Sequence, residues 1–569
     1  MTQRHLWSCL LSLSFAAAPL AAQTATLTPQ QQTTMDRDLL EVNIPQLEKF
    51  YAAHKYTVTQ VTEWYLARIA RYNGIYHAVE SVDSKGALAI ATEEDAAAKR
   101  EGANLKRGPL WGIPMVIKAN TSIRGRITTN GWQGFIIPGH ELIAPRDATV
   151  VAHLRAAGAV LLGQTNMPDF AASDTSRSTS YGRTGNAYDV RFSPGGSSGG
   201  TVTAVSANFA LLGTGTDTSN SIRMPSSTSA VVGVLPTRGL VSIAGIAPLD
   251  WLYDNTGPIA RDVTSTAIAL SVMAGEDSLD FRTEGSAAKA EPGPYTQYLK
   301  PDALKGKRIG VPAFIVKEEP AGSPAAGNNM RPETRAMFMK AIEGLRAAGA
   351  TVVIDDSILP DSFPTLIREV KTGPYRLDGT NSFLKEFGPS GYHSAAEYEK
   401  TVGSPLPAGI TGIPKPAPPT SNPDSRNNGQ PPRLPVQQVE LKTDPNAEAN
   451  FFAPQRAALA AYLEPMERLH LDAYVYPAAN MPPPDETMPQ DGRLSSGPHS
   501  NTGWVNRIGV PAVVVSGGFY ADGLPFGLEL SARPWKDGDL LGYAYAYEQA
   551  THYRHPPVLV EKGLLPDAK

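Results

Sequence analysis

The fold of this chain is decided by residues 193–224, which read SPGGSSGGTVTAVSANFALLGTGTDTSNSIRM. Two clusters of serine and glycine flank residues 201–212, which are small and apolar and predict a helix packed tightly into a core. Buried serine and glycine at both ends of such a helix bring backbone N–H groups and hydroxyls together in a dry place. The stretch is therefore a candidate site for an oxyanion or a phosphate.

Two other interpretations of this stretch exist. A Gly-Ser run is usually a flexible linker, but the apolar neighbours of Gly195 to Gly200 argue against a linker here. Gly195-x-Ser197-x-Gly199 also fits the nucleophile elbow of an α/β-hydrolase esterase, which needs a strand directly before it. Pro194 favours a loop at that place, and none of the ten histidines is marked as a partner base.

Short apolar runs alternate with helical patterns on both sides of the stretch. Residues 28–100 are rich in Ala, Leu and Glu and predict helices, with an amphipathic segment at 58–72. The alternation predicts an α/β chain with a sheet covered by helices. The predicted strands are 113–117, 159–162, 308–311, 351–354, 473–476, 512–516 and 526–529, and further helices are predicted at 148–158, 332–348 and 537–551.

Two proline-rich stretches interrupt this pattern. Residues 405–435 contain ten prolines, which predicts a long loop, either an insertion into one large domain or a linker between two. Residues 477–500 predict another loop. The formal net charge of −4 and the lack of a basic block exclude nucleic-acid binding, and no later apolar run approaches the ~20 residues of a membrane span.

Residues 1–22 predict a secretory signal peptide, so that the mature chain would be residues 23–569. Arg4 precedes an apolar run at 6–18, and small residues follow before Gln23. The alternative is an ordinary N-terminal helix. Because Cys9 is the only cysteine, the processed chain would have no thiol, which excludes disulfides, zinc thiolates and a cysteine nucleophile. We expect an exported protein, periplasmic or extracellular.

The quoted stretch resembles the amidase signature family, whose pattern is G-G-S-S-G-G, a small-residue helix, and G-T-D-x-G-G-S-I-R. Here residues 195–200 read GGSSGG and residues 215–223 read GTDTSNSIR. The two aligned serines, Ser197 and Ser221, are 24 positions apart, which is the family's spacing. Coincidence is a poor explanation for a match of this length.

The resemblance covers the chain from about Leu40 to His552. It implies one large domain with a twisted mixed β-sheet flanked by helices, and an enzyme without metal or cofactor. The family's segments G-I-P-x-x-x-K-D-N, G-K-T-N-x-P, G-x-P-A and G-L-P-x-G-x-Q are matched by GIPMVIKAN at 112–120, GQTNMP at 163–168, GVPA at 509–512 and GLPFGL at 523–528.

The resemblance assigns a Ser-Ser-Lys triad, with Ser221 as nucleophile, Ser197 as bridging serine with a cis peptide bond, and Lys118 as base. A lysine base must be neutral, so its pKa must fall from the ordinary 10.4 or so through burial or a nearby cation. Lys118 follows the apolar run 113–117, which is consistent with burial. Without the other motifs it would be read as a solvated lysine at a strand end.

The resemblance also assigns supporting roles around the triad. Ser198 would hold Lys118, and Asp217 with Arg223 would fix the nucleophile loop by a buried ion pair. The backbone N–H groups that would face the tetrahedral oxyanion are those of Thr218, Ser219, Asn220 and Ser221.

This chain departs from the family pattern at two places. Ser219-Asn220 replaces the usual Gly-Gly, which predicts a costlier backbone if positive φ angles are needed there and changes the shape of the acyl pocket. Ala119 replaces the family's Asp after the lysine and removes a hydrogen bond near the base.

The resulting expectation is an exported amide hydrolase, acting on linear, non-peptide C–N bonds through an acyl-enzyme. An esterase or carbamate hydrolase with the same triad and a non-catalytic binding protein are the alternatives, and the signal peptide argues against a tRNA-dependent amidotransferase. The chain most resembles secreted bacterial peptide amidases, so a peptide or small-molecule amide is the expected substrate. The residues expected to line its pocket lie in 120–135, 174–188 and 368–398. These segments contain the aromatic candidates Trp132, Phe135, Tyr181, Tyr375 and Phe383, although an aromatic residue is more often part of a core. The oligomeric state is not indicated.

Overall fold

A computed structural model describes residues 28–317, 330–413, 436–488 and 497–557 of the chain. The predicted signal peptide at 1–22 and most of the proline-rich stretch 405–435 lie outside these residues, so both remain predictions. In the part of the predicted 477–500 loop that the structure describes, the chain forms neither helix nor strand after Pro477.

The strands of the described residues confirm the predicted α/β class. The predicted strands at 308–311 and 351–354 have the observed bounds, and the other five predicted strands all exist but are between one and four residues longer. The strands are β1 (Val79–Val82), β2 (Ile113–Lys118), β3 (Ala159–Thr165), β4 (Arg177–Ser178), β5 (Gly182–Arg183), β6 (Leu212–Asp217), β7 (Val232–Leu235), β8 (Asn255–Ala260), β9 (Arg308–Val311), β10 (Thr351–Ile354), β11 (Ala473–Pro477), β12 (Ala512–Phe519) and β13 (Pro525–Ala532).

Eleven of these strands form one mixed sheet in the order β1-β3-β2-β6-β8-β7-β12-β13-β11-β9-β10. β2 runs parallel to both β3 and β6, whereas β8, β7, β12 and β13 pair antiparallel to their neighbours. Because β2 and β6 are parallel neighbours, their carboxyl ends, Lys118 and Asp217, lie at the same edge of the sheet. The chain thus forms a single domain around one large mixed sheet.

Helices flank this sheet, and the helix predicted at 537–551 has the observed bounds. They are α1 (Pro29–Leu39), α2 (Ile44–Ala52), α3 (Val58–Tyr76), α4 (Ser84–Glu101), α5 (Thr149–Ala156), α6 (Gly199–Ser206), α7 (Arg223–Ser227), α8 (Val263–Met273), α9 (Ser286–Lys289), α10 (Ala313–Val316), α11 (Pro332–Ala347), α12 (Ser362–Arg368), α13 (Arg376–Phe387), α14 (Ala395–Val402), α15 (Ala408–Thr411), α16 (Ala453–Arg468), α17 (Trp504–Ile508) and α18 (Asp537–Thr551). Among the helices of the described part, none is long and apolar enough to cross a membrane.

The middle of the sheet is buried on both faces. Every residue of β2, β3, β6 and β8 is buried, and so is every residue of α6, which packs against β2 and β6. A strand that is covered on both faces has a continuous run of apolar or small residues in its sequence, and this pattern predicted β2 and β3.

The predicted helix at 201–212 is too long. α6 ends at Ser206, Asn208 takes a left-handed conformation with φ 58°, and β6 begins at Leu212. β6 was missed because it contains Gly213 and Gly215, and glycine is depleted in strands. The glycines are required by packing, since a Cβ at Gly213 would lie 2.4 Å from Thr201 Cγ2 and one at Gly215 would lie 2.8 Å from Ile222 Cγ1.

Three more strands of the main sheet escaped prediction, namely β1, β7 and β8. β1 interrupts the region 28–100 that was predicted to be helical throughout, because it pairs with β3 at the sheet edge. β7 and β8 contain glycine or proline, which masks their strand character in the sequence.

Candidate active site

Lys118 is the last residue of β2, and its side chain is fully buried. Its Nζ is hydrogen-bonded to Ser197 Oγ at 2.7 Å and to Ser198 Oγ at 2.9 Å. A third, longer hydrogen bond of 3.3 Å joins Nζ to the carbonyl oxygen of Thr216 in β6. The parallel pairing of β2 with β6 and the turn into α6 therefore bring the predicted base and the predicted bridging serine into direct contact.

Burial lowers the pKa of Lys118 to about 7. The carboxylates of Asp217 and Asp254 act in the opposite direction, but they do not offset the loss of hydration. A large fraction of the amine is therefore neutral near neutral pH and can accept a proton.

The loop before α6 and the first turn of this helix are packed so closely that one glycine in each has no room for a side chain. A Cβ at Gly196 would lie 2.2 Å from the carbonyl oxygen of Thr175, and one at Gly200 would lie 2.3 Å from that of Asn166. The peptide bond between Gly196 and Ser197 is cis. This packing is why the GGSSGG sequence forms a buried turn here and not a linker.

Ser198 ties the two serine-containing segments together. Its backbone N–H donates to the carbonyl oxygen of Ser221 at 3.1 Å, and its hydroxyl donates to the carbonyl oxygen of Thr216 at 3.2 Å. Since Ser198 also contacts Lys118, it holds both the predicted base and the predicted nucleophile segment.

The segment from Asp217 to Arg223 forms a loop closed by a buried ion pair. Asp217 Oδ2 accepts from the backbone N–H of Ile222 at 2.9 Å and from Arg223 Nε at 3.1 Å. Burial alone would raise the pKa of Asp217, but Arg223 and these N–H groups hold it below its ordinary value. The loop is therefore fixed by charge as well as by its backbone.

Arg223 has partners that the sequence analysis missed. Its Nη1 lies 2.6 Å from Glu529 Oε1, and its Nη2 donates to Asn506 Oδ1 and to the carbonyl oxygen of Ser219, both at 2.7 Å. Asn506 Nδ2 in turn donates to the carbonyl oxygen of Asp217 at 2.9 Å. The nucleophile loop is thus anchored to β13 and α17, about three hundred residues further along the chain.

Glu529 occupies the last position of the G-L-P-x-G-x-Q motif, where the family pattern has glutamine. An acidic residue at this motif position is therefore the signal in the sequence for this partner of Arg223. Two buried carboxylates, Asp217 and Glu529, share one guanidinium, and burial raises the pKa of Glu529 to about 7.

Replacing Arg223 by Met is expected to lower the free energy of unfolding by about 3–5 kcal/mol, because Asp217 and Glu529 would be left buried without a cation. Urea unfolding measures this change. Glu529→Gln is the matched control and should cost less than about 1.5 kcal/mol at pH 7, where the Glu529 carboxyl is already partly protonated. Because folding raises the pKa of Glu529, the contribution of this residue to the free energy of unfolding falls as the pH rises from about 5 to 7. This pH dependence should be absent in Glu529→Gln. Equal losses in both variants would contradict this account.

The backbone cost considered for Ser219-Asn220 does not arise. Neither residue has a positive φ, so the loop does not require glycine at these positions. None of the described residues accepts a hydrogen bond from the N–H groups of Ser219, Asn220 or Ser221. At the other departure, Ala119 packs in a small apolar cluster with Met167 and Ala171.

A cavity of about 570 Å³ opens at Ser221. Its wall is mostly polar and carries both signs of charge, and it includes Thr218 to Ser221, Asp174, Asp250, Tyr253, Thr372, Arg376, His499 and Arg507. Asp250 is paired with Arg376 at 3.3 Å and accepts from Thr372 Oγ1, and burial raises the pKa of Asp250 to about 6.

Two of the three segments expected to shape the pocket, 174–188 and 368–398, do contribute to this wall, but the five aromatic candidates do not. Trp132, Phe135 and Phe383 pack in one apolar cluster, and Tyr375 is buried in another. Tyr181 lies near a different cavity beside Glu80. Aromatic side chains of this size usually contribute to a core, as the other four do.

The geometry does not support the alternative of an α/β-hydrolase esterase with a nucleophile elbow at Ser197. No strand precedes Gly195, where Phe192 forms only an isolated bridge with Asp485. A nucleophile elbow requires a strand that ends at the serine. The basic group that contacts Ser197 is Lys118, not a histidine. Within the described ranges, no group of three His, Cys, Asp or Glu side chains is placed to hold a metal ion.

The fold and this cluster are those of an amidase-type hydrolase. A model of the family Amidase matches residues 60–372, and the chain belongs to the amidase signature family. Its most similar curated relatives include the glutamyl-tRNA(Gln) amidotransferase subunits A of Symbiobacterium thermophilum and Moorella thermoacetica. The first is 29% identical, covering 91% of this chain and 98% of the relative, and the second is 31% identical, covering 87% and 93%.

Among solved structures, the peptide amidase from Stenotrophomonas maltophilia is similar with a TM-score of 0.70 and 29% identity. The match covers 91% of this chain and 98% of that one. Cleavage of an amide C–N bond is the chemistry that these comparisons support for the chain.

Proposed function

We propose that this protein is an exported amidase that hydrolyses a carboxamide through an acyl-enzyme on Ser221, with Ser197 and Lys118 completing the triad. The observation that carries the proposal is the contact of 2.7 Å between the fully buried Lys118 Nζ and Ser197 Oγ. A lysine whose pKa is about 7 can serve as a base, whereas a solvated lysine cannot.

In the first step neutral Lys118 accepts the proton of Ser197 while Ser197 accepts that of Ser221. The Ser221 oxygen attacks the amide carbon, and the N–H groups of Thr218, Ser219, Asn220 and Ser221 would donate to the oxyanion. The proton returns through Ser197 to the leaving nitrogen, which departs as ammonia or an amine. Water then attacks the acyl-enzyme by the same route, which yields the carboxylic acid and restores Ser221.

The polar wall of the cavity favours a polar acyl group, such as a peptide or amino-acid amide, over a fatty amide. Similarity to a peptide amidase supports a peptide C-terminal amide as substrate. Similarity to amidotransferase subunits A supports a second candidate, a subunit that needs partners. The predicted signal peptide favours the first candidate, because tRNA charging is cytosolic.

The test is hydrolysis by the purified processed protein alone, followed by mass spectrometry. The panel contains peptide amides, glutamine, fatty amides, anilides, carbamates and esters, and Ser221→Ala serves as the blank for each compound. Turnover of peptide amides by the parent protein alone supports the proposal. Release of ammonia from glutamine only favours the amidotransferase candidate, preference for esters or carbamates reassigns the bond, and inactivity on every compound favours a non-catalytic binding protein.

Export has its own test. Periplasmic or culture fractions should contain a chain that begins near Gln23 when its N-terminus is sequenced. A full-length chain that starts at Met1 and stays in the cytosol would contradict export and leave the hydrolytic mechanism untouched.

The pH dependence of the reaction should report Lys118. Below pH 7 the amine is increasingly protonated and cannot act as base, so kcat/KM for a neutral amide should fall about tenfold per pH unit. Above about pH 7 it should level off. The measurement is a kcat/KM profile from pH 5 to 9, and a profile that is flat between pH 5.5 and 8 would contradict Lys118 as the base.

A further inference from the structure

Asn220, the residue before the proposed nucleophile, is held by its side chain. Its Nδ2 donates to Asp174 Oδ1 at 3.1 Å and to Ser500 Oγ at 2.9 Å. The family pattern has glycine at this position, so this chain contains a contact that the pattern cannot form. The residue is only 6% exposed although it lines the cavity.

Asp174 reaches the other serine segment through its backbone. A Cβ at Gly196 would lie 2.8 Å from the carbonyl carbon of Asp174 and 2.2 Å from the carbonyl oxygen of Thr175, so residues 174–175 lie directly against the turn that carries Ser197. One short segment therefore contacts the bridging-serine turn with its backbone and the nucleophile loop with its carboxylate.

One oxygen of the Asp174 carboxylate accepts the hydrogen bond from the Asn220 side chain. Its other oxygen lies 3.3 Å from His499 Nδ1, and it forms no ion pair with lysine or arginine in the part of the chain that the structure describes. A side-chain amide that donates to a carboxylate is a strong, directional hydrogen bond. It restrains the loop by a means other than the backbone geometry of glycine.

We propose that Asp174 is a positioning residue that sets the placement of Ser221 relative to Ser197 by holding the Asn220 side chain. This inference rests on the proposed function, in which the Ser221 proton passes to Ser197. Displacement of a reacting group by about 1 Å can cost about a hundredfold in rate without weakening substrate binding, so the effect belongs in kcat and not in KM.

The experiment exchanges the two partners. Asn220→Asp places two carboxylates in contact and should lower kcat about a hundredfold, with KM changed less than about threefold. Asp174→Asn should lower kcat by a smaller factor, about three- to tenfold, because an amide oxygen still accepts a hydrogen bond. The double variant Asn220→Asp/Asp174→Asn restores one donor and one acceptor and should recover kcat to within about threefold of the parent. Asp356→Asn, an exposed carboxylate far along the chain, is the matched control for loss of charge.

A second readout separates this inference from the proposed function. An alkyl fluorophosphonate phosphonylates activated serines, and its rate of reaction with each variant is followed by intact mass. If the parent protein is neither labelled nor active, the proposed function fails. If the parent is labelled and Asn220→Asp is labelled at the parent rate, or if the double variant is as slow as Asn220→Asp, the positioning role is overturned. Asn220→Gly, which keeps the backbone N–H and adds no charge, should lose about tenfold in kcat even if Asn220→Asp does not fold, and an unchanged kcat there also overturns the inference.

Discussion

Lys118→Arg is expected to lose at least about a thousandfold in kcat although it replaces one basic side chain by another. The mechanism needs a group that can be neutral near pH 7, and arginine does not lose its proton in proteins. The guanidinium is also larger and planar, and the fully buried site of Lys118 is closed around a single nitrogen that contacts Ser197 and Ser198. Hydrolysis of the best amide from the panel measures the loss.

Lys118→Met is the companion variant, because it preserves the length and apolar character of the stem and removes the amine. Both variants should be inactive, and the thermal unfolding midpoint of Lys118→Met should stay at or above that of the parent, since a buried amine is costly to desolvate. Retention of more than about a tenth of the parent rate by Lys118→Arg would remove Lys118 from the role of base.

Ser221→Ala is expected to lower the rate about 10⁴- to 10⁶-fold, which is the scale on which removal of a hydrolase nucleophile acts. No other atom can form the acyl-enzyme in the proposed mechanism. The residual rate of the variant would come from substrate binding and from the backbone donors. Intact-mass analysis should show one phosphonyl group on the parent protein after fluorophosphonate treatment and none on Ser221→Ala.

Ser206→Ala is the matched control for this variant. Ser206 is also buried, but its hydroxyl donates to the carbonyl oxygen of Ser229 and it lies at the far end of α6 from Ser198. Its rate should stay within about threefold of the parent. A phosphonyl group found on Ser197 in place of Ser221, together with full activity of Ser221→Ala, would return the esterase interpretation to consideration.

Much of the architecture could be read from the sequence because buried strands and amphipathic helices have distinct apolar patterns. β9, β10 and α18 were predicted with their observed bounds. β6, which escaped prediction, contains glycines that close packing requires, and this requirement is invisible until α6 and Ile222 are placed against the strand. In β6, the strand that ends at Asp217, tertiary packing therefore overrides the low strand propensity of glycine.

The residues of the candidate site that belong to short sequence motifs could be predicted. The motifs placed Lys118, Ser197, Ser198 and the 217–223 loop on the list of site residues, and the structure brings Lys118 and the two serines into contact. Four of the five aromatic candidates for the pocket pack in apolar clusters, which is the more common role of such side chains, and the sequence contains no information on which cluster each one joins.

By itself, the sequence determined the family, the α/β class and the residue types that the reaction needs, because these depend on short motifs and on the spacing of apolar residues. Tertiary structure alone decided the properties that depend on packing between distant segments. The pKa of Lys118 falls to about 7 only because β6 and the turn before α6 exclude water from its amine. Likewise, Arg223 meets Glu529 and Asn220 meets Asp174 only once the sheet is assembled, since burial and hydrogen bonding are set by neighbours in space and not by neighbours in the chain.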